Sequence, residues 1–285
     1  MNILACPDCK TNNSKLLTKN TSWSETELFF TVNYGLRICN SCELLYAAPL
    51  EPQTLKGIEA YLTQSYNTHR VDDYCETINR IWGAGLKGLL RRRLRIYKTW
   101  LSREGRIPET LRILKSQNCQ TVLDVGCSFG DFVVSAIDAG FDAYGIEPNV
   151  KLVDAISRVH QGRVFHGLFP SQIGPLPAYD AIVFLGVFYS LPPSVLRPVF
   201  DSCFRLLTAG GRLIVFDYDS ANRSNLECLP TMQGPLTLSL IGAEFMRRVA
   251  ADFRFARYEK IVSKGHPFYC YHVLEKSAAN FTVSS

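Results

Sequence analysis

The sequence has no apolar run long enough to cross a membrane. No stretch without a charged side chain is longer than residues 181–196, which is shorter than the about 20 residues that a membrane-spanning helix needs and contains Gly186, Pro192 and Pro193. The first ten residues, MNILACPDCK, lack the basic region and long apolar segment of a signal peptide. We therefore expect a cytoplasmic protein with no membrane association.

Strong charge of one sign, internal repeats and low-complexity segments are also absent. Lys and Arg together number 31 and Asp and Glu 26, and the resulting net charge of +5 permits an acidic or phosphorylated partner without requiring one. Apolar residues make up 47% of the 285 residues, which is enough for a sizeable core and excludes broad disorder. Ten cysteines in a chain expected to be cytoplasmic favour reduced thiols and metal ligation over disulfides.

Four of these cysteines form two C-x-x-C pairs within residues 1–50, namely Cys6 with Cys9 and Cys39 with Cys42. Each pair presents two thiolates on one face, and two such knuckles complete a tetrahedral sulfur site for Zn²⁺ with no position open for water. The spacing therefore predicts a structural zinc site, and the alternative is two coincidental pairs of buried thiols. The cysteines without a partner at ligand spacing are interpreted as small buried hydrophobes: Cys75, Cys119, Cys203, Cys228 and Cys270.

Residues 51–118 are predicted to be mostly helical. Apolar residues recur every three or four positions from Leu86 to Leu101 and form one stripe. The run LLRRRLRIYK at residues 89–98 lies within this pattern. Its arginines could bind phosphates of a nucleotide sugar or of RNA, or they could form the solvated face of an amphipathic helix.

From residue 121 onward, short apolar runs alternate with helical patterns. The runs TVLDV, AYGIE, YDAIVFLG and GRLIVFDYD are separated by segments such as DFVVSAIDAG and SVLRPVFDSCFRLL. This alternation predicts an α/β fold with a Rossmann-like, doubly wound and mainly parallel sheet. The runs FRFARYEKIV and PFYCYHVLEK, joined by SKGH, predict an antiparallel terminal hairpin at the sheet edge.

The stretch TVLDVGCSFGDF indicates a ligand site at the end of the first of these strands, since ligands of parallel sheets bind beyond the carboxyl ends of strands. Gly126 and Gly130 allow a tight turn and a close approach of backbone to the ligand. Asp124 can accept hydrogen bonds from an ammonium or hydroxyl group, and Glu147 ends the next strand, where an acid can bind ribose hydroxyls. An NAD site would have the spacing G-x-G-x-x-G, followed by a helix whose first turn can bind a pyrophosphate. Here the spacing is G-x-x-x-G, and the next helix begins with Asp131, whose negative charge would repel a pyrophosphate.

These motifs, followed by GIEPN, YDAIVFLGVFYSLP and LLTAGGRLIVFD, resemble the class I S-adenosylmethionine-dependent methyltransferases. The resemblance covers residues 119–276 and leaves 277–285 as a tail. It implies S-adenosylmethionine as the methyl donor. Two positions depart from the family pattern: Leu168 stands where many members have an acid facing the adenine, and Tyr189-Ser190 stands where many have Glu-His.

The resemblance also implies a role for each matching residue. The methionine part of the cofactor would lie against the glycine turn, the ribose against the acid of the second strand, and the adenine beside the two residues that follow it. Gly186 and Val187 would close the cofactor from the other side. The implied cofactor-binding residues are Asp124, Gly126, Cys127, Gly130, Glu147, Pro148, Asn149, Gly186 and Val187.

The base that would remove a proton from the methyl acceptor has several candidates. Tyr189 follows the fourth strand, Tyr218 and Asp219 follow the fifth, and His266 lies in the hairpin turn. Each also has a structural interpretation: Tyr189 as a lid aromatic, Asp219 as a helix cap and His266 as a solvated turn residue. His272 alternates within a strand, which favours a structural role.

The segment CPDC followed by YGLRICNSCELLYAAPLEP resembles the zinc ribbon that precedes certain bacterial methyltransferase domains. Relatives include C-methyltransferases of deoxysugars and enzymes of polysaccharide and natural-product biosynthesis. This resemblance implies a small-molecule or carbohydrate acceptor. The alternatives are an RNA methyltransferase, or a non-catalytic binding protein that has kept the fold, and the sequence pattern indicates no oligomeric state.

Overall fold

The computed structural model describes residues 5–17, 21–23, 32–64, 105–157, 162–171, 178–222 and 237–278. The apolar stripe from Leu86 to Leu101, the arginine run at 89–98, Cys75 and Cys228 lie outside the described residues. The predictions made for them are therefore not addressed below.

The described elements follow the alternation that the sequence predicts. The strands are β1 (Ser14–Leu16), β2 (Thr21–Trp23), β3 (Val32–Cys39), β4 (Leu45–Ala48), β5 (Thr121–Val125), β6 (Asp142–Glu147), β7 (Val164–His166), β8 (Tyr179–Leu185), β9 (Leu207–Tyr218), β10 (Ser239–Leu240), β11 (Phe255–Val262) and β12 (Tyr269–Lys276). The helices are α1 (Pro52–Gln64), α2 (Arg106–Ser116), α3 (Asp131–Asp138), α4 (Val150–Ser157), α5 (Pro193–Leu206) and α6 (Ala243–Asp252), with a 3₁₀ turn at Phe188–Ser190. Within the described part of the chain, no helix combines the length and apolarity needed to span a membrane.

The larger sheet of the described residues has seven strands in the order β11-β12-β9-β8-β5-β6-β7. Its five strands from β9 to β7 are mutually parallel, whereas β12 runs antiparallel to β9 and β11 antiparallel to β12. The chain reverses its direction across the sheet between β5 and β8, which leaves a crevice at the carboxyl ends of these strands. The predicted fold class, a mainly parallel doubly wound sheet with an antiparallel terminal hairpin, is confirmed.

Alternating side chains of the sheet pack into two separate cores. On one face, Val122, Val183 and Ile214 contact the apolar sides of α2, α3 and α4. On the other face, Leu123 and Phe184 contact α5, α6 and the buried cysteines of the N-terminal region. Because successive residues of a strand point to opposite faces, continuous apolar runs such as YDAIVFL are required for a sheet covered on both sides.

The N-terminal residues form a smaller antiparallel sheet in the order β1-β3-β4-β10, and β2 pairs with β3. Its last strand, β10, comes from residues 239–240, far along the chain from the other strands of this sheet. The sequence predicts a zinc ribbon at residues 1–50, a helical linker on the substrate side at 51–118, and a cofactor-binding methyltransferase domain at 119–276. Those boundaries stay a prediction, but the N-terminal sheet is completed by a strand from the third region.

Candidate functional site

A cavity of about 440 Å³ lies at the carboxyl ends of β5, β6 and β8, within the size range of small-molecule sites. Most of the residues predicted to bind a cofactor line it. They are Asp124, Gly126, Cys127, Glu147, Pro148, Gly186 and Val187. Leu168, which the resemblance placed beside an adenine, lines the same cavity.

The glycine turn after β5 passes very close to the segment that follows β8. Gly126 has a φ of +73°, and a Cβ atom at this position would lie 2.7 Å from Cγ2 of Val187. The backbone N–H groups of Gly126 and Cys127 both donate to the carbonyl of Ile146 at the end of β6, with N···O distances of 2.8 and 3.1 Å. Glycine at 126 is therefore required by conformation and by space, and the turn is fastened to the neighbouring strand.

Two residues of the predicted cofactor set support the cavity from behind. Gly130, with a φ of +68°, precedes α3 and packs against Ile156, whose side chain would lie 3.3 Å from an added Cβ. Asn149 is fully buried, and its Oδ1 accepts a hydrogen bond from the N–H of Lys151 at the start of α4. Gly130 and Asn149 therefore act on the starts of α3 and α4, and the first two residues of α3, Asp131 and Phe132, line the cavity.

Cys127 fills the space beside β6. A Cβ atom on Gly145 would lie 2.6 Å from the Cys127 sulfur, so a small residue is needed at each of the two positions. Burial raises the pKa of the Cys127 thiol well above its usual value. A neutral thiol is a poor nucleophile, which agrees with a packing role for this side chain.

Asp124 is a buried carboxylate at the end of β5. Its exposed fraction is 3%, and its Oδ1 atom has no hydrogen-bond partner among the described residues. Burial raises the pKa of Asp124 to about 7, Arg106 opposes this shift, and the negative charge of Glu147 adds to it. A buried carboxylate oxygen without a hydrogen-bond partner is costly, so this geometry favours binding of a cationic group.

Glu147 is buried to a similar degree but is well hydrogen-bonded. Its Oε2 accepts from the N–H of Ser128 at 2.8 Å, and its Oε1 accepts from the N–H of Asn149 at 2.9 Å. Burial raises the pKa of Glu147, and these two amides act in the opposite direction. Each carboxylate oxygen keeps a second lone pair, so the oriented group can still accept from ligand hydroxyls.

Arg106 brings a positive charge to the cavity. It is the first residue of α2, and its Nη1 donates to the carbonyl of Leu185 at 3.3 Å. The sequence carries no local signal for this role, since Arg106 is separated from the glycine turn by 20 residues and belongs to a segment predicted only as helical. Leu62 was missed for the same reason. Ser128 lies within the glycine turn, but it acts through its backbone N–H, which no side-chain pattern indicates.

The four predicted base candidates differ in whether they line the cavity, which Tyr218, Asp219 and His266 do not. Tyr189 lines it, and its ring packs edge-on against Tyr218 with 6.3 Å between centroids. Tyr218 lies behind Tyr189, and the Oη of Tyr269 donates to the Oη of Tyr218 at 2.6 Å. The His266 ring packs edge-on against Tyr269. Tyr189 is therefore the base candidate that would lie nearest to a ligand in the cavity.

Buried acids position the segments that carry these candidates. Glu109 on α2 accepts hydrogen bonds from the backbone of Lys264 at 2.8 Å and Gly265 at 2.9 Å, which holds the hairpin turn of His266 against α2. Asp217 on β9 accepts from the N–H of Tyr218 at 2.7 Å. Burial raises the pKa of Asp217 to about 7, while the N–H groups of Tyr218 and Tyr189 lower it.

The two remaining polar residues of this region have structural partners. Asp219 forms an ion pair with Lys260, with Oδ1 and Nζ 2.6 Å apart. His272 lies between the Tyr258 hydroxyl and the Cys270 thiol, and burial lowers the pKa of His272 to about 3. The neutral, enclosed imidazole agrees with the structural role predicted for it.

The four N-terminal cysteines come together as a candidate metal centre. The Sγ atoms of Cys6 and Cys42 are 3.6 Å apart, those of Cys9 and Cys39 are 3.5 Å apart, and all four lie within 4.8 Å of one another. Zinc–sulfur bonds of about 2.3 Å in a tetrahedron place sulfurs about 3.8 Å apart, so this arrangement fits one ion. The eight cysteines among the described residues are all free thiols.

The two cysteine knuckles have the same backbone geometry. The residue after the second cysteine of each knuckle, Lys10 or Glu43, has a φ of +59°. Its N–H donates to the carbonyl of the first cysteine at 3.0 Å, to Cys6 from Lys10 and to Cys39 from Glu43. The N–H of Ser41 also points to the Cys39 sulfur at 3.4 Å. Such amide contacts stabilise thiolate ligands, and a hydrogen bond with Cys42 lowers the pKa of Cys6 to about 5.

A comparison with protein-family models identifies the larger part of the chain. Residues 66–276 match the family described as "Methyltransferase domain". The chain belongs to this methyltransferase family. The resemblance to class I S-adenosylmethionine-dependent methyltransferases is thereby confirmed, and the match begins upstream of the glycine turn, at residue 66. A search of curated protein sequences found no match.

Solved structures with similar folds include several methyltransferases. Magnesium protoporphyrin IX methyltransferase (ChlM) from Synechocystis PCC 6803, with bound SAH, aligns with a TM-score of 0.51 and 18% identity over 78% of this chain and 100% of its own. A SAM-dependent methyltransferase from Archaeoglobus fulgidus aligns with a TM-score of 0.50 and 13% identity, over 63% of this chain and 99% of its own. The structure of PigF with SAH aligns with a TM-score of 0.50 and 19% identity, over 67% of this chain and 70% of its own. At these identities the likeness establishes the fold.

Substitution of Gly126 by alanine tests the close approach between the glycine turn and the cavity wall. Gly126→Ala should lower the free energy of unfolding by about 2–4 kcal/mol, because it combines a strained positive φ with overlap against Val187. Urea unfolding monitored by circular dichroism measures this change.

Gly140 provides the matched control, since it has a φ of +92° and no described atom within 4 Å of its Cβ position. Gly140→Ala should cost only the strain of about 1–2 kcal/mol. Addition of Val187→Ala should partly restore Gly126→Ala and not Gly140→Ala. Equal costs for the two glycine substitutions would contradict the assigned contact.

Proposed function

We propose that this methyltransferase takes a methyl group from S-adenosylmethionine and transfers it to a small-molecule or carbohydrate acceptor. One observation carries the choice of donor: the cavity has a buried, unpartnered carboxylate oxygen on Asp124 and an oriented carboxylate on Glu147, with the glycine turn between them. S-adenosylmethionine has an ammonium and a carboxylate at one end and two ribose hydroxyls nearer the other.

Each polar group of the cavity has a place in this proposal. Asp124 would accept hydrogen bonds from the ammonium, and Arg106 would pair with the carboxylate. Glu147 would accept from the ribose hydroxyls, with Pro148 and Leu168 against the adenine. When bound, the cofactor supplies a methyl group on a positively charged sulfur, which an acceptor nucleophile attacks in line.

The role of the protein in such a displacement is to hold two reactants in position, exclude water and accept one proton. Tyr189 lines the cavity and has Tyr218 behind it, which makes Tyr189 the first residue to test as the group that contacts the acceptor. Leu62 of α1 and Leu191 give this end of the cavity an apolar lining. The name of the similar magnesium protoporphyrin IX methyltransferase describes action on a small molecule, and we extend that acceptor class to this chain.

We further propose that the four cysteines bind one structural Zn²⁺. The support is the near-tetrahedral spacing of the four sulfurs and the burial of Cys6, Cys39 and Cys42 in the core beneath the large sheet. Four sulfur ligands leave no position for water or substrate, so the ion would stabilise the knuckles and take no part in methyl transfer.

The affinity for S-adenosylhomocysteine should depend on pH through Asp124. The pKa of its carboxyl is raised to about 7 in the free protein, and the ammonium of the ligand requires the ionised form. Binding should therefore release a proton below pH 7, and the affinity should fall roughly tenfold between pH 8 and pH 6. Calorimetric titrations at several pH values, in buffers of different ionisation enthalpy, measure both effects.

Asp124→Asn is the control for this titration. It should bind more weakly at pH 8, by about ten- to a hundredfold, because a charge-assisted hydrogen bond is lost. It should also lose most of the pH dependence. A wild-type affinity that is flat from pH 6 to pH 8 would contradict the proposed pairing of Asp124 with the ammonium.

Purified protein should contain one zinc ion per chain, measured by inductively coupled plasma mass spectrometry. Cys9→Ser should reduce the zinc content sharply, since it removes one of the four sulfur ligands. Cys9 is chosen because it is only partly buried, so its replacement disturbs the core least. Cys119→Ser should keep the zinc, because Cys119 is a buried thiol outside the cluster. Replacement by Co²⁺ should give the intense sulfur-to-metal charge-transfer absorption of tetrahedral thiolate ligation. Bound iron, or no bound metal, would contradict the zinc assignment.

A further inference from the structure

Residues 237–242 connect the N-terminal sheet to the wall of the cavity, and we call this segment the strap. Residues 237–241 are buried, with exposed fractions of at most 1%. Buried backbone groups need hydrogen-bond partners, so the partners of the strap show which parts of the molecule it joins.

One side of the strap belongs to the N-terminal sheet. Ser239 and Leu240 form β10 and pair with Tyr46 and Leu45 of β4. The N–H of Ala47 also donates to the carbonyl of Leu238 at 2.9 Å. Because β4 begins three residues after Cys42, the strap is anchored to the strand that leaves the second knuckle.

The other side of the strap holds the turn after β8. The N–H of Leu238 donates to the carbonyl of Tyr189 at 2.7 Å, and the Oγ of Ser239 donates to the carbonyl of Leu191 at 2.7 Å. Tyr189 and Leu191 both line the cavity. Val187, which begins this turn, is the residue that closely approaches Gly126.

The end of the strap is in contact with the second knuckle itself. A Cβ on Gly242 would lie 2.8 Å from Cβ of Glu43, the residue that follows Cys42. The Oε2 of Glu43 accepts from the N–H of Glu244 at 3.2 Å, in the first turn of α6. Movement of the second knuckle would therefore be transmitted to this end of the strap.

The first knuckle is linked by charged side chains to α5 and α6, which pack on the same face of the large sheet. The carboxylate of Asp8, between Cys6 and Cys9, pairs with Arg197 of α5, with 2.7 Å between Oδ1 and Nε. Arg248 of α6 lies 3.6 Å from its other oxygen. The cysteines of the two knuckles are free thiols in the described structure. A metal ion bound to all four sulfurs would therefore cross-link the two knuckles.

We propose that occupancy of the four-cysteine site sets the position of the cavity wall at residues 187–191 through the strap, with Ser239 as a positioning residue. Metal loading would then control cofactor affinity although no cysteine of the cluster lines the cavity. This inference rests on the metal and cofactor assignments proposed above. The competing explanation is that the metal supports only general stability.

Hydrogen exchange measured by mass spectrometry separates these explanations without a ligand. We compare the full-length metal-loaded protein with the same protein after removal of metal by a chelator. Faster exchange in peptides covering 187–191 and 237–241, with unchanged exchange in residues 133–138 of α3, which pack on the opposite face of the sheet and do not line the cavity, supports the coupling. Faster exchange confined to the knuckles, or an equal increase in α3, would overturn it.

Titration of S-adenosylhomocysteine into the same two samples gives the functional readout. The metal-free protein should bind at least several-fold more weakly, and readdition of Zn²⁺ should restore the affinity. Equal affinity with and without metal would overturn the coupling. If the metal-loaded protein does not bind S-adenosylhomocysteine at all, the proposed donor is wrong, and the exchange measurement alone decides the coupling.

Ser239→Ala tests the strap with the metal in place. Its zinc content should equal that of wild type, and its affinity for S-adenosylhomocysteine should fall about two- to tenfold because one buried hydrogen bond to the cavity wall is lost. Ser116→Ala is the matched control, since its Oγ donates to the carbonyl of Ile113 at 2.8 Å on an exposed part of α2. Wild-type affinity and wild-type exchange at 187–191 in Ser239→Ala would overturn the role of this residue.

Discussion

The burial of two carboxylates at the ends of neighbouring strands is the constraint around which the cavity is organised. Asp124 and Glu147 are almost inaccessible to solvent, burial raises the pKa of both carboxyl groups, and the charge of Glu147 raises that of Asp124 further. Glu147 meets this cost with two backbone amides, one of which comes from the glycine turn. Asp124 has the charge of Arg106 to lower its pKa, and its Oδ1 stays without a partner among the described residues. This difference between the two acids supports the proposed binding of a cationic group at Asp124.

The close approach at the glycine turn follows from this arrangement. For the N–H of Ser128 to reach Glu147, the turn must fold onto the end of β6, where Gly126 and Cys127 share the carbonyl of Ile146. That path brings Gly126 against Val187 and therefore couples the turn to the wall after β8. The wall is in turn held by the strap, so the N-terminal sheet and the cofactor cavity form one connected structure.

Much of the fold could be predicted because its signals are local. The apolar runs of β5, β6, β8 and β9, the glycines after β5 and the acids at 124 and 147 each lie within a few residues of the feature that they specify. The spacing of the cysteines likewise predicts the cluster of four sulfurs. Contacts between distant parts of the chain could not be predicted in this way. The pairing of Ala47 with Leu238, the entry of Arg106 into the cavity and the anchoring of the hairpin turn by Glu109 have no sequence pattern of their own. Among the base candidates, only geometry distinguishes Tyr189, which lines the cavity, from Tyr218, Asp219 and His266, which do not.

The most direct test is a calorimetric comparison of two ligands that share the adenosine and differ in the amino-acid end. S-adenosylhomocysteine has the ammonium and carboxylate, whereas 5′-deoxy-5′-methylthioadenosine lacks both. Asp124→Asn should weaken the first by about ten- to a hundredfold and change the second by less than about threefold, while Glu147→Gln should weaken both by similar factors. Equal effects of Asp124→Asn on both ligands, or unchanged binding in Glu147→Gln, would contradict the division of the cavity between the two carboxylates.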